Sequence, residues 1–516
     1  MIRPSDYIAA LIVDFYKLGH VGMIPDDVTE IYSNITCRSA RLLGALPGYD
    51  NKALLIGQQR ALDDLHTLWQ DGFFQKPKGE VIAKIRRRLT RSLPSNVKVD
   101  EICHELEMLH DLRYLPVRIK TLPEGRRVSM KIPFLTVINT HKEFKFITNF
   151  LETVLSSELW KPIVIASRAF ELRRLLSRRA IETTGSDAGV LLQAHDFSMR
   201  GMSGFIDASN SGIGHLSCFL GTDTVPAIDV VEHHYGIDEN DPVGRSVAAT
   251  EHMIMCLGQE KGEIELVRRL VEDDFGTGII SIVSDTWDFF RFITVYVAQL
   301  KNTILARSPE NSGIAKVVFR PDSGDPETIL CGDRNAEPGT PEYKGAVQCL
   351  WEIFGGTTTE QGYKLLNSKV GLIYGDSITL QRAEAITARL MEMGFASVNI
   401  VFGIGSFTYQ FITRDSLSEA MKATMANIDG QSISLLKNPK TDDGTKKSAS
   451  GLLRVDEVNG EFVLKELCTP EEEAGGSLFI AYEDGEFFNR TKWQEVKSNV
   501  EMELNKVLKK EGITRG

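Results

Sequence analysis

The stretch AKVVFRPDSGDP, residues 315–326, begins as an apolar strand and breaks without transition into Arg320, Pro321, Asp322, Ser323, Gly324, Asp325 and Pro326. A turn at that point needs only proline, aspartate and glycine. It does not need Arg320. A cation set beside carboxylates at a strand end is a chemical feature, and its weight depends on whether the chain repeats it. From about residue 190 it does: VLLQAHDFSMRG (190–201), LSCFLGTDT (216–224), GRSVAATEH (244–252), GIISIVSDTWD (278–288), KVGLIYGDS (369–377) and SVNIVFGIGS (397–406) each run from apolar to polar and lead into a helical pattern. The run AMKATMANI (420–428) closes the series.

Strand–helix alternation of this kind predicts a parallel α/β architecture. Seven or eight units favour a (β/α) barrel over an open doubly wound sheet. In a barrel the C-terminal strand ends converge on one mouth, where active sites lie, so Arg320 and Asp322 are expected on one side of a shared mouth. Upstream, residues 75–96 and 99–112 read as helices, residues 115–140 as short strands with Pro-Glu-Gly punctuation, and two helical patterns follow. His104 and His110 lie six apart, which does not put them on one helical face as metal ligands. The segment 331–348 reads as an irregular insertion, 436–450 as a polar, Lys-rich loop, and 493–512 as an amphipathic closing helix.

Composition sets outer limits. The 516 residues carry a formal net charge of −11, which argues against a general nucleic-acid or anionic-membrane binder. The seven cysteines are scattered without CxxC or zinc spacing, which predicts reduced, packed thiols and a cytoplasmic protein. No run approaches a membrane span.

The strand-end residues share a chemistry: Asp196, Phe197, Arg200, Asp223, Glu251, His252, Asp285, Arg320, Asp322 and Asp376, joined by Gly403 and Gly405. Arginine forks suit phosphate, glycines let backbone amides approach phosphate oxygens, and carboxylates can hold Mg²⁺ or the hydroxyls of a ribose. Together they favour a phosphorylated sugar with magnesium over an apolar ligand. A lone histidine such as His252 is more often structural than chemical. Among phosphate-binding groups it becomes a candidate proton shuttle or phosphate acceptor. HExxH is absent, so a zinc site of that kind is not expected.

In order along the chain, DFYKLGH, YSNITCR, ITNFLETVL, HDFSMRG, GTDTV, ATEH, IVSDTWD, FRPDSGDP, GYKLL, YGDSI, FGIGS and TRD identify a resemblance to the nicotinamide phosphoribosyltransferase family of type II phosphoribosyltransferases. The resemblance implies a barrel-like α/β domain at 151–416. A second, mixed β-rich domain would be built from 1–150 and 417–516. It implies attack of nicotinamide on C1 of phosphoribosyl pyrophosphate, giving nicotinamide mononucleotide and pyrophosphate. The base would lie between Phe197 and Tyr16 of the partner subunit, with Asp223 accepting from the carboxamide. Arg200 and Arg320 would lie near the carboxamide and phosphoribosyl group, with Asp322 and Asp376 on the ribose side. The glycines 403 and 405 would cradle the 5′-phosphate, completed across a homodimer by Arg38, Arg414, Lys422 and Lys437. His252, oriented by Glu251 and Asp285, would be phosphorylated by ATP as a facultative co-substrate, and Mg²⁺ would accompany the pyrophosphate. Its metal ligands are not legible. Nicotinate phosphoribosyltransferase, a metal-dependent hydrolase or isomerase on a generic barrel, and a non-catalytic binding protein on the same fold are the alternatives. Asp223 speaks against the first, and sparse histidines against the second.

Overall fold

A computed structural model describes residues 6–238, 240–310, 313–438, 441 and 447–515. Its centre is a seven-stranded sheet in which every pairing is parallel. Across the sheet the order is Gly221–Thr222, Ala194–Asp196, Ile400–Ile404, Val370–Tyr374, Lys316–Arg320, Ile279–Val283 and Ala248–Ala249. The two edges meet. Gly221 forms a parallel bridge with Arg245, the amide of Thr222 donates to the Arg245 carbonyl at 3.0 Å, and that of Arg245 to the Leu220 carbonyl at 2.7 Å. The strands therefore close in chain order into a barrel, as the repeated strand endings predict. Period-two alternation does the rest: in Lys316–Arg320, Val317 and Phe319 are buried in the surrounding core, and Arg320 emerges at the C-terminal end.

The closing run of the series does not join the barrel. Ala420–Ile428 pairs antiparallel with Val28–Thr36 along nearly its whole length, from Val28 opposite Ile428 to Thr36 opposite Ala420. These strands, with Gln431–Ser434, Pro133–Asn139, Val117–Thr121, Phe479–Glu483 and Glu486–Phe487, form a second, wholly antiparallel sheet of seven strands. A strand whose partner lies almost four hundred residues away carries no local sign of which sheet it enters.

One helix ties the layers together. In Glu152–Thr184 the first turns bury Leu155, Leu159 and Ile163 in the core beneath the antiparallel sheet, and the later turns bury Ile165, Ala169 and Phe170 in the barrel core. Pro162, inside it, cannot bond the carbonyl of Glu158. Buried Arg60 takes over, donating to that carbonyl at 2.5 Å and to the Glu158 carboxylate at 2.6 Å. The closing helix Trp493–Lys510 sets Trp493, Val496, Val500 and Leu504 into the barrel core. The expected irregular insertion is irregular only in part, since its second half enters the helix Pro341–Phe354. Of the Lys-rich stretch, residues 439, 440 and 442–446 lie outside the described residues. His110 is buried with Nε2 2.9 Å from the Lys76 carbonyl, a structural role. The seven cysteines are free thiols. Among the described residues no helix is long and apolar enough to cross a membrane.

Candidate active site

At the C-terminal mouth of the barrel lies a cavity of about 1120 Å³, lined by Phe197, Arg200, Asp223, Glu251, Arg320, Asp322, Asp376 and Gly405 among others. These residues come from six different strand ends, so the fold does bring together what the repeated motifs suggested.

Phe197 is seated by backbone. Its amide donates to the Ile404 carbonyl at 2.9 Å, and its ring lies on Gly403, where any Cβ would collide with it and with the backbone of Gly375. Gly403 is therefore the bed of an aromatic ring inside the strand Ile400–Ile404 and does not line the cavity; of the two glycines read as a phosphate cradle, only Gly405 faces it. Arg320 holds its guanidinium 5.9 Å from the centre of the Phe197 ring and donates to the Thr250 carbonyl at 2.8 Å. Asp196, also collected from the sequence, is wholly buried and accepts from the Ser198 amide at 2.9 Å.

Asp223 follows the strand Gly221–Thr222 and is tethered at one oxygen. His195 Nε2 lies 2.9 Å and the Ser246 hydroxyl 2.6 Å from Oδ1. Partial burial works against its charge, but these two bonds and the Arg320 cation prevail and hold the carboxyl below its ordinary range. The group is thus a charged, acceptor-only oxygen pair lining the same cavity as Phe197.

A second constellation adjoins the cavity. The Asp285 side chain is buried, and its Oδ2 accepts from the Asp322 amide at 2.8 Å and the Ser323 hydroxyl at 2.6 Å. Its Oδ1 takes no hydrogen bond among the described residues and lies 3.9 Å from His252 Nε2, which is also 4.0 Å from Asp322 Oδ2. These are electrostatic contacts, too long for hydrogen bonds. His252 Nδ1 sits 3.3 Å from the Thr286 hydroxyl, and half of the side chain is open to solvent. The carboxylates that face His252 are therefore Asp285 and Asp322. Glu251, expected to orient it, lines the main cavity and has no hydrogen bond or ion pair to His252 among the described residues.

Tyr16, Arg38, Arg414, Lys422 and Lys437 do not line the cavity. Several gather instead on the antiparallel sheet. Burial, reinforced by Arg38, Lys437 and Lys17 and opposed by Glu152, pulls the Lys422 ammonium below its usual range. Arg38 Nε donates to the Ser418 carbonyl at 2.9 Å, and Arg414 is the cation acting on the buried carboxyl of Glu419. Tyr16 stands exposed on the short helix Phe15–Leu18, whose Lys17 is anchored to Glu152 at 2.6 Å.

Motif reading missed His195 and Ser246. Both lie inside quoted stretches, and His195 is two residues before Phe197 on the same strand face. That alternation was the available signal. Ser406, next to Gly405, lines the cavity, and its side chain occupies the space that a Cβ on Gly201 would fill. Among the described residues no group of three or more His, Cys, Asp or Glu side chains forms a metal cage.

Residues 192–472 match the model of the nicotinate phosphoribosyltransferase (NAPRTase) family. The chain is 50% identical over 494 residues to a nicotinamide phosphoribosyltransferase of Acinetobacter baylyi, covering 95% of this chain and 97% of that protein. It is 31% identical over 450 residues to a nicotinamide phosphoribosyltransferase of Mycoplasma pneumoniae, covering 86% and 94%. A crystal structure of nicotinate-nucleotide pyrophosphorylase from Pyrococcus furiosus shares the fold at a TM-score of 0.54 with 14% identity, over 97% of this chain and 96% of that one.

Proposed function

The chain belongs to the nicotinate phosphoribosyltransferase family, and from that premise we propose that it transfers the 5-phosphoribosyl group of phosphoribosyl pyrophosphate to nicotinamide. The products are nicotinamide mononucleotide and pyrophosphate, a salvage step toward NAD. One observation carries the choice of base: Asp223, held ionised and acceptor-only in the cavity that Phe197 also lines. Such a carboxylate accepts from a carboxamide N–H and repels the carboxylate of nicotinate, and an unpaired or repulsive contact of that kind readily decides selectivity.

The rest of the mouth supports the transfer. A planar heteroaromatic base stacked on Phe197 would direct its ring nitrogen toward a ribose held by Asp322 and Asp376. Arg200 and Arg320 supply positive charge to the phosphoribosyl group. The reaction asks for charge stabilisation and orientation more than for covalent help, which fits a cavity of fixed charges. Magnesium would arrive with the pyrophosphate, sharing hard oxygens with carboxylates such as Asp322 and Asp376. When bound it would neutralise the leaving group.

We assign the 5′-phosphate to Arg38, Arg414, Lys422 and Lys437 of a second copy, with that copy's Tyr16 over the free face of the base. Two facts support a homodimer: this cationic set does not reach its own cavity, and the rim carries exposed Phe407 and Phe411 with parallel rings 5.8 Å apart. A phosphorylated intracellular donor fits a cytoplasmic enzyme. His252 is assigned as the acceptor of a phosphoryl group from ATP. Asp285 and Asp322 favour the proton on Nε2, which leaves the Nδ1 lone pair as nucleophile.

The test is product formation from phosphoribosyl pyrophosphate and Mg²⁺ with nicotinamide and nicotinate in parallel, with and without ATP. Strong preference for nicotinamide is expected, reduced in Asp223→Ser. Preference for nicotinate would overturn the role of Asp223. In His252→Ala the stimulation by ATP should vanish while the fold survives, and persistence of that stimulation would remove His252 from the ATP reaction.

A further inference from the structure

A carboxylate at the end of a two-residue strand rotates freely unless something holds it. At Asp223 the two holding bonds fall on the same oxygen. The donors come from both flanks of Gly221–Thr222: His195 lies opposite Gly221 in the parallel register, and Ser246 follows Arg245, whose bridge to Gly221 closes the barrel. Asp223 is thus clamped at the closing seam. Its Oδ2 takes no protein hydrogen bond among the described residues and keeps its accepting capacity for a ligand.

We propose that His195 is a positioning residue of the base site: it fixes the Asp223 carboxylate so that one oxygen alone is offered to the carboxamide, and thereby sets the preference for amide over acid. The inference rests on the assignment of Asp223 as the carboxamide acceptor. An ionised carboxylate only accepts, so Nε2 of His195 carries the hydrogen. Its Nδ1 faces Gly221, where a Cβ would come within 2.8 Å; the missing side chain lets the imidazole lie across the strand. The same ring is centred 4.9 Å from the ring of Phe197. His195 therefore touches both residues assigned to the base without lining the cavity.

His195→Leu and His195→Gln in the full chain test it. Glutamine can return an N–H near the position of Nε2, and leucine cannot. In His195→Leu the KM for nicotinamide should rise about tenfold or more, the size of a lost bond to a charged group, with a smaller change in kcat. The nicotinamide-to-nicotinate ratio of kcat/KM should fall by a similar factor, and His195→Gln should recover most of both. A second readout needs no turnover: the Asp223 carboxyl carbon followed by NMR titration. It should titrate below the ordinary range in wild type and His195→Gln and move up in His195→Leu. Arg320, the other charge acting on it, is present in all three. An unchanged base ratio, or an Asp223 titration unmoved in His195→Leu, overturns the proposal. If wild type makes no product from either base, the reading of the reaction fails and the titration alone decides the role of His195.

Discussion

The two seven-stranded sheets of this protein solve the same folding problem in opposite ways, and the chemistry divides along the same line. Barrel strands are two to five residues long. They are walled by helices, and six of the seven strand ends deliver residues to one cavity. The antiparallel sheet has strands of up to nine residues whose partners come from opposite ends of the chain. It carries a cluster of cations on Arg38, Lys422 and Lys437. The barrel holds the groups suited to a base and a ribose, the sheet those suited to a phosphate, and within one chain the second set does not line the cavity of the first. The proposed homodimer would put a half-site of each kind on each protomer.

Mixing subunits tests that division most severely. Asp223→Ala with Arg320→Ala should abolish transfer in one chain, and Arg414→Ala with Lys422→Ala should abolish it in another. If the half-sites are shared, co-expressed mixed dimers regain one intact site, up to about half of wild-type turnover per dimer. Mixed dimers as inactive as their parents would place the cations and the barrel residues of one chain in one site, and the division would collapse.

The two regions should also answer pH with opposite signs. In the barrel, buried His215 donates from Nε2 to the Gly221 carbonyl at 2.9 Å and accepts from the Tyr409 hydroxyl at 2.7 Å. Burial lowers it from 6.5 to about 4, with nearby Asp196 working the other way. Its contribution is therefore complete above pH 6.5 and is lost as pH falls toward 4. On the sheet side, Glu419 is buried with neither carboxyl oxygen hydrogen-bonded among the described residues, and burial, opposed by Arg414, raises it from 4.5 to about 8. Its contribution is complete below pH 4.5 and is lost as pH rises through 8. Denaturant unfolding of Glu419→Gln should match wild type near pH 4.5 and exceed it by about 2 kcal/mol or more at pH 8.5. His215→Asn should be weaker than wild type at pH 7, with the gap closing toward pH 5. Parallel pH profiles for both variants would refute the contrast.

The unequal legibility of the regions has the same physical root. A barrel strand declares itself locally, because apolar run, polar ending and following helix are contiguous in sequence. Arg320, Asp322, Asp223, Phe197 and Asp376 could therefore be placed at one mouth from the sequence alone. Ala420–Ile428 closes the apolar-to-polar series by its own pattern and falls to the β-rich domain only through the family resemblance, since its pairing with Val28–Thr36 is a contact between distant segments. Within the site, what a residue touches was less visible than where it stands. Gly403 read as a phosphate-binding glycine and is the seat of Phe197. Glu251 read as the partner of His252, yet Asp322, two strands away, faces that ring. His195 was hidden by standing beside residues with more obvious chemistry.

The smallest effect sharpens the comparison at the level of single helix caps. Thr379 accepts from the Arg382 amide at 3.1 Å and starts the barrel helix Leu380–Glu392, which buries Leu380, Ala383, Ile386 and Leu390. Thr469 accepts from the Glu472 amide at 3.3 Å, with the Glu472 carboxylate taking the Thr469 amide at 3.1 Å, and starts Pro470–Glu473, which buries nothing. By local bonding the second cap is the better made, since it satisfies two otherwise unpaired amides. Yet fraying matters in proportion to the packing it undoes. Thr379→Ala should cost about 1 kcal/mol of global stability, and Thr469→Ala no more than about 0.5 kcal/mol, both read from denaturant midpoints. Equal losses would mean that the exposed helix is coupled to the core through the adjoining strand Glu461–Cys468, and that the sheet side is as cooperative as the barrel.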